Sequence, residues 1–232
     1  MVSRIGMLVA EGEIDNNVLV MHTIESGWTD MRDTLTEGTY NQMATANPDA
    51  WCKKLEAVML ALEKNQIQYH LGDDCLMTRH GKVENGKVVI GNQKYSLVIV
   101  PETEVLGETA LKLLTEFKAQ GGEVIFVNSV PEYVAGVKND GFKALAEKIV
   151  SVEELGEAIP AEIRNLNLKN SGGDEYFVNA LVRGFADRTM YYLHNRHGVS
   201  QTATLTVKGG SAVLYNPETD EEAPVLFTAK GE

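Results

Sequence analysis

Apolar residues are not spread evenly along this chain. Val18-Leu19-Val20-Met21, Leu97-Val98-Ile99-Val100 and Val124-Ile125-Phe126-Val127 are uninterrupted runs. A strand with no polar alternation is one covered on both faces. Ile67 to Leu71 reads as a further strand. Helical spacing lies between the runs. Trp51, Leu55, Val58, Met59 and Leu62 recur through about Asn65, behind Asn47-Pro48-Asp49, which supplies a cap and a first-turn proline. Leu111, Leu114 and Phe117 mark a helix over Thr109 to Gln120, closed by Gly121-Gly122. Asp73-Asp74 to Arg79 reads as a short helix ended by Gly81, and Phe142 to Val150 as another. Asn85-Gly86, inside Lys82 to Gly91, is a hairpin turn signal. Val2 to Ala10 is a helix by the spacing of Ile5, Leu8 and Val9, with Gly12 as its stop. Ile24 to Ala46 shows no period and reads as a long loop, a feature that is usually functional in a compact domain.

Strands alternating with helices predict an α/β fold with a parallel sheet. Four strands fit the flavodoxin-like order 2-1-3-4. The pattern changes near residue 150. Ser151 to Asn170 is polar with short helical pieces, and Ser171-Gly172-Gly173-Asp174 is a break. Beyond it, Tyr176 to Phe185, Arg188 to Asn195, Gln201 to Lys208, Ser211 to Tyr215 and Val225 to Thr228 read as short antiparallel strands. The expected layout is an α/β domain over 1–150, a linker over 151–174 and a small antiparallel β domain over 175–232.

Composition narrows the partners. The 232 residues are 44% hydrophobic and 23% charged, ordinary values for a globular chain. Against 21 Lys and Arg stand 33 Asp and Glu, a formal charge of −12. That surface repels phosphate backbones and anionic lipid, so neither nucleic acid nor membrane is expected as a partner. Cys52 and Cys75 allow one disulfide but no cysteine-based zinc site. The six-residue apolar run Ile5 to Ala10, followed by Glu11 and Glu13, is not a signal peptide, so the chain as it stands reads as cytoplasmic.

Several strings resemble a known arrangement. Tyr95 to Pro101, Leu111 to Phe117 and Gly121 to Val127 resemble the amidotransferase-like domain of multidomain glycoside hydrolases of the alpha-L-rhamnosidase-like and beta-galactosidase-like types. Val18 to Trp28 resembles its first strand and following loop, and Arg4 to Gly12 the helix before it. Tyr191-Tyr192-Leu193-His194-Asn195-Arg196 and Leu214 to Thr219 resemble the β domain that follows. The resemblance implies a class I amidotransferase-like α/β domain plus a β domain. It also implies a non-catalytic accessory segment, whose partner is the catalytic domain of a larger glycosidase or a second copy of itself.

The residues carry little chemistry of their own. An amidotransferase-type nucleophile sits on a sharp strand-to-helix bend flanked by glycine. The matching place, Val127-Asn128-Ser129-Val130-Pro131, holds no cysteine, and Glu102-Thr103 follows Pro101 where oxyanion glycines would stand. Ser129 reads as a turn serine, and Cys52 and Cys75 as packing thiols. Asp73-Asp74 reads as a helix cap. His194 and His197 lack a third ligand nearby and read as surface residues, so no metal site is expected. Gly12 to Asn16 precedes its strand and lacks the dinucleotide spacing, so no cofactor is expected. No catalytic residues are assigned. The remaining candidates lie after the first and third strands, whose ends flank the switch point where sheets of this order bind ligands. Glu25 and Glu102 follow those strands, His22 ends the first, and Trp28 offers a flat face to a sugar. His22, Glu25, Trp28 and Glu102 form the candidate ligand-binding set, with carbohydrate as the ligand class. The alternatives are a stand-alone carbohydrate or small-molecule binding module, or a divergent amidotransferase-like hydrolase using Ser129 or a cysteine.

Overall fold

The structure is a computed structural model, and it describes residues 1–29, 48–170, 178–207 and 211–225. Two compact units divide the chain: Asn16–Asn165 forms one, and Met1–Asp15 with Leu166–Glu232 forms the other. The helices, in chain order, are α1 (Val2–Ala10), α2 (Ile24–Thr29), α3 (Pro48–Lys64), α4 (Asp74–His80), α5 (Glu108–Ala119) and α6 (Leu155–Ala158).

The Asn16–Asn165 unit is built on a five-stranded sheet whose neighbours all pair in parallel. Across the sheet the strands run His70–Gly72, Val18–Met21, Leu97–Val100, Glu123–Val127 and Ile149–Val150. The uninterrupted apolar runs have a plain cause. Side chains alternate across a strand, so two covered faces demand apolar residues at every position. Leu97 and Ile99 join Val18, Val20, Ile125 and Val127 on one face, against Val58 and Leu62 of α3 and Leu155 of α6. Val98 and Val100 join Leu19, Met21, Val124 and Phe126 on the other, against Met77 of α4 and Leu114 and Phe117 of α5. In α5 the buried stripe is Ala110, Leu113, Leu114 and Phe117, while the expected Leu111 is half-buried at its rim.

Two small antiparallel pieces decorate the sheet. Gly81–Glu84, Lys87–Ile90 and Gln93–Tyr95 form a meander, with the turn at Asn85 (φ 53°) and Gly86 (φ 70°) that the sequence predicts. Val105–Leu106 pairs with Tyr133–Val134, which in turn pairs with Val137–Lys138.

Three expectations need correction in this unit. Ile24 to Ala46 is not all loop: α2 occupies Ile24–Thr29, and residues 30–47, with the Asn47 cap, lie outside the described residues. Phe142 to Val150 is not one helix. A single 3-10 turn, Lys143–Leu145, is followed by the strand Ile149–Val150. The edge of Glu123–Val127 offers ladder bonds that a helix would leave unmade: Phe126 N–H donates to Lys148 O at 3.0 Å and Asn128 N–H to Val150 O at 2.8 Å. Residues 151–170 of the expected linker carry regular structure. Leu155 and Ile159 belong to the α/β core, while Asn167–Asn170 is a strand paired with Ala203–Thr206.

The other unit gathers residues from both parts of the chain, so the span 1–150 expected for the α/β domain is also revised. Glu13–Ile14 pairs antiparallel with Arg183 and Gly184, next to the hairpin Asn179–Gly184 with Thr189–His194. Buried Arg183 donates to the carbonyls of Glu11 (2.7 Å) and Gly12 (3.2 Å), and Arg4 of α1 donates to those of Pro217 and Glu218. These bonds tie the first fifteen residues to the later β strands. The core here is small: Leu166, Leu168, Val178 and Val182. A last hairpin joins Val213–Asn216 to Glu221–Pro224, one turn earlier than the expected strand at Val225, and residues 226–228 lie outside the described residues. The 171–174 break is likewise outside them.

The two-sided core predicts a strong position dependence of stability. Phe126→Ala empties a fully buried ring site and should destabilise by about 3–5 kcal/mol. Exposed Val213→Ala should stay within about 0.5 kcal/mol. Urea unfolding followed by circular dichroism measures both.

Candidate functional site

The carboxyl ends of the first, third and fourth sheet strands meet at a polar junction. Its centre is Ser26 of α2, which is completely buried. The Ser26 hydroxyl oxygen accepts from two successive backbone N–H groups, Glu104 at 3.0 Å and Val105 at 2.9 Å. It lies 2.6 Å from the Thr103 hydroxyl, which itself donates to Val105 O at 3.2 Å. Consecutive amides aimed at one oxygen form an anion-holding concavity. Here a hydroxyl of the same chain fills it. These are the amides of the loop after Pro101, where an amidotransferase-type oxyanion loop would stand.

The bend after Glu123–Val127 carries a second feature. Ser129 N–H donates to Val127 O at 2.7 Å, and Asn128 between them has φ 61°. This is a γ-turn of the rarer hand, a strained conformation that stores on the order of 1–3 kcal/mol. Asparagine tolerates the left-handed region better than most residues. The sharp bend sought at Val127 to Pro131 therefore exists, centred on Asn128 and not on Ser129. Its side chain is a carboxamide, donating to Glu102 Oε2 at 3.0 Å. Lys54 of α3 holds the other Glu102 oxygen at 2.9 Å while sitting 3.8 Å from the centre of the Trp51 ring. The hydrogen bond from Lys54 first, and that from Asn128 after it, hold the Glu102 carboxyl below the usual carboxylate range.

Glu25, one residue before Ser26, turns the other way. It accepts a bond from Gly107 N–H, at the cap of α5, and faces Asp74 of α4. Burial first, and the Asp74 charge second, raise its pKa. Asp74 is raised as well, by burial and by Asp73. Asp73 caps α4 through its side chain, as its sequence position predicts.

The four candidate residues thus do not converge on one point. Glu102 belongs with Lys54 and Asn128 on the α3 side of the sheet. Glu25 belongs with Asp74 and Gly107 on the α4–α5 side, and the Ser26–Thr103 junction lies between. His22 is half-buried at the strand end, where its N–H donates to Gly72 O at 3.1 Å. Trp28 is 60% exposed on α2. Sequence reading missed Ser26, Lys54, Asp74 and Asn128 as members of this region. Asn128 was the legible one, because an asparagine directly after a buried strand is a common bearer of positive φ. Cys52 and Cys75 are exposed free thiols on helix surfaces, which corrects the expectation of packing thiols. Among the described hydrogen bonds, none joins a histidine to Ser129, Cys52 or Cys75; His70 bonds the Tyr95 hydroxyl at 3.0 Å. Among the described residues, no group of three or more His, Cys, Asp or Glu is placed to hold a metal, and no helix is long and apolar enough to cross a membrane.

With this geometry in hand, comparison with known proteins adds one finding. No protein-family model matches the chain, and no curated protein matches it. Among solved structures, the chain is similar to the apo exo-carrageenase GH42 from Bacteroides ovatus, with a TM-score of 0.55 at 9% identity. The likeness covers 90% of this chain and 27% of that one, so the chain spans about a quarter of its neighbour's length. At that identity the likeness is one of fold.

Two outcomes test the junction. Ser26→Ala strips the acceptor from two amides and should destabilise by about 1–3 kcal/mol for each donor left unpaired, read by urea unfolding. Glu102 has a lowered folded pKa, so its contribution is present above the usual carboxylate range and lost as pH falls through the folded value. Glu102→Gln should therefore flatten the fall of Tm on acidification below about pH 4.5, measured by a pH series of thermal melts.

Proposed function

We propose that this chain is a non-catalytic segment of a glycoside hydrolase, an α/β domain of the flavodoxin-like, amidotransferase-like type followed by a small β domain. Its role is to support a catalytic domain carried on other residues, in carbohydrate breakdown. The single observation that carries this reading is Asn128. The residue at the strained bend has a carboxamide already bonded to Glu102, and a carboxamide is no nucleophile. The amides that would bind an oxyanion are likewise satisfied by Ser26 within the chain. The likeness to a much longer exo-carrageenase, together with the ordered strings read from the sequence, supports the glycosidase context.

The chemistry of glycoside hydrolysis points the same way. It needs two carboxylates on opposite sides of one sugar, one retaining a proton and one charged. Glu25 and Glu102 have opposite pKa shifts, but they are drawn to different sides of the sheet, each engaged by its own neighbours. The partner under this reading is a glycosidase catalytic domain or a second copy of the chain. A second reading, a carbohydrate-binding module, rests on exposed Trp28.

Incubated alone with a panel of aryl glycosides, the chain should give no turnover, and a fluorophosphonate probe should leave Ser129 unlabelled in tandem mass spectrometry. Hydrolysis that Ser129→Ala abolishes would overturn the non-catalytic reading. Calorimetric titration with sugars separates the second reading: heat of binding that vanishes in Trp28→Ala would favour a binding module.

A further inference from the structure

Glu25 and Asp74 come from different helices and meet over Gly107. A Cβ built on Gly107 would lie 3.0 Å from Glu25 Oε1 and 2.9 Å from Asp74 Oδ1, so both carboxyl oxygens border the same backbone position. Asp74 Oδ1 is closed off from solvent and has no hydrogen-bond partner. A buried carboxylate oxygen left unpaired beside a second carboxylate is doubly unfavourable, through lost hydration and through repulsion.

Among the described residues, the charged and titratable groups on the surrounding elements bring no relief. Asp73 and Asp74 both stand at the start of α4, and Glu108 opens α5. Glu104 lies in the loop after Leu97–Val100, and His22 ends the strand that leads into α2. Lys54 of α3 is engaged by Glu102, and Arg79 and His80 stand in the last turn of α4, away from its start. Among the described residues, the donor supplied to Glu25 is the Gly107 N–H.

We propose that Glu25 and Asp74 hold one proton between them, and that this carboxyl pair fastens α2 to the starts of α4 and α5. The shared proton turns one carboxyl into an O–H donor and gives the orphaned Asp74 oxygen its partner. Loss of that proton to solvent leaves two facing carboxylates and loosens the fastening. Both groups being raised by burial agrees in sign. The folded chain keeps the proton above the usual carboxylate range, so the fastening is present at low pH and lost as pH rises through the raised value. Ser26, the next residue, keeps its backbone bonds at every pH. The outcome is a partial release at one end of the helix that carries Trp28. This inference is independent of the glycosidase reading.

Carboxyl 13C NMR titration of the full chain tests it. Glu25 and Asp74 should titrate together in two steps, the upper above the ordinary carboxyl range. Glu25→Gln should remove the upper step from Asp74, and Gly107→Ala, which crowds both carboxyl oxygens, should uncouple the two. Amide exchange in α2 should accelerate across the same step, beyond the intrinsic tenfold per pH unit. Independent single titrations in the ordinary range, with Asp74 unmoved by Glu25→Gln, would overturn the proposal. So would displacement of the proton by millimolar Mg2+ or Ca2+ at neutral pH, which would make the pair a cation site.

Discussion

Covering both faces of a parallel sheet creates an obligation at its carboxyl ends. Each strand must turn over a packed helix, and the amides of that turn lose water before they gain partners. Here the obligation is met by one hydroxyl. Ser26 takes the N–H groups of Glu104 and Val105, and through Thr103 it also fixes the loop that leads into α5. With this contact in place, the neighbouring side chains sort themselves. Glu102 is left on the α3 side, where Lys54 and Asn128 neutralise and orient it, and Glu25 on the α4–α5 side, beside Gly107 and a second acid, Asp74. Two glutamates on either side of one buried serine thus have opposite electrostatics.

The same contact bears on what the segment does. Sheets of this kind bind ligands where adjacent strands diverge, because loop amides there are free to point at an anion. In this chain those amides are satisfied internally, and the strained bend that remains at Asn128 aims an amide group at a carboxylate. Strain at a functional position is usually kept by what surrounds it. At Asn128 it is held by the ladder bond to Val150 and by the bond to Glu102. The bend is thus built into the wall of the domain.

Much of the sheet was legible because burial on two faces writes an unambiguous signal: Val18–Met21, Leu97–Val100 and Glu123–Val127 are runs that few other contexts tolerate. The Asn85-Gly86 turn and the Asp73 cap were legible for a different reason, since each residue type there solves a local backbone problem. Ile149–Val150 was hidden because its pairing is decided by an open edge some twenty residues upstream, while its local sequence favours a helix. The site was hardest. Asp74 read as part of a helix cap and Lys54 carried no signal of its own, and only the fold brings Lys54 to Glu102 and Asp74 to Glu25. The ends of the first and third strands were the loops singled out, but sequence gives no means to tell which side of the sheet each side chain will choose.

The pairing of Glu13–Ile14 with Arg183 and Gly184 has a consequence for how the polypeptide matures on the ribosome. Synthesis proceeds from the amino end, and a domain closes when its last element emerges. The 16–165 unit has all its strands once Asn165 is out. The first fifteen residues, with the apolar helix α1 among them, must wait for the central hairpin of the β unit to appear. Contacts so distant along the chain are the slow ones to form. Within this stretch of chain, residues 1–15 are among the last to be secured.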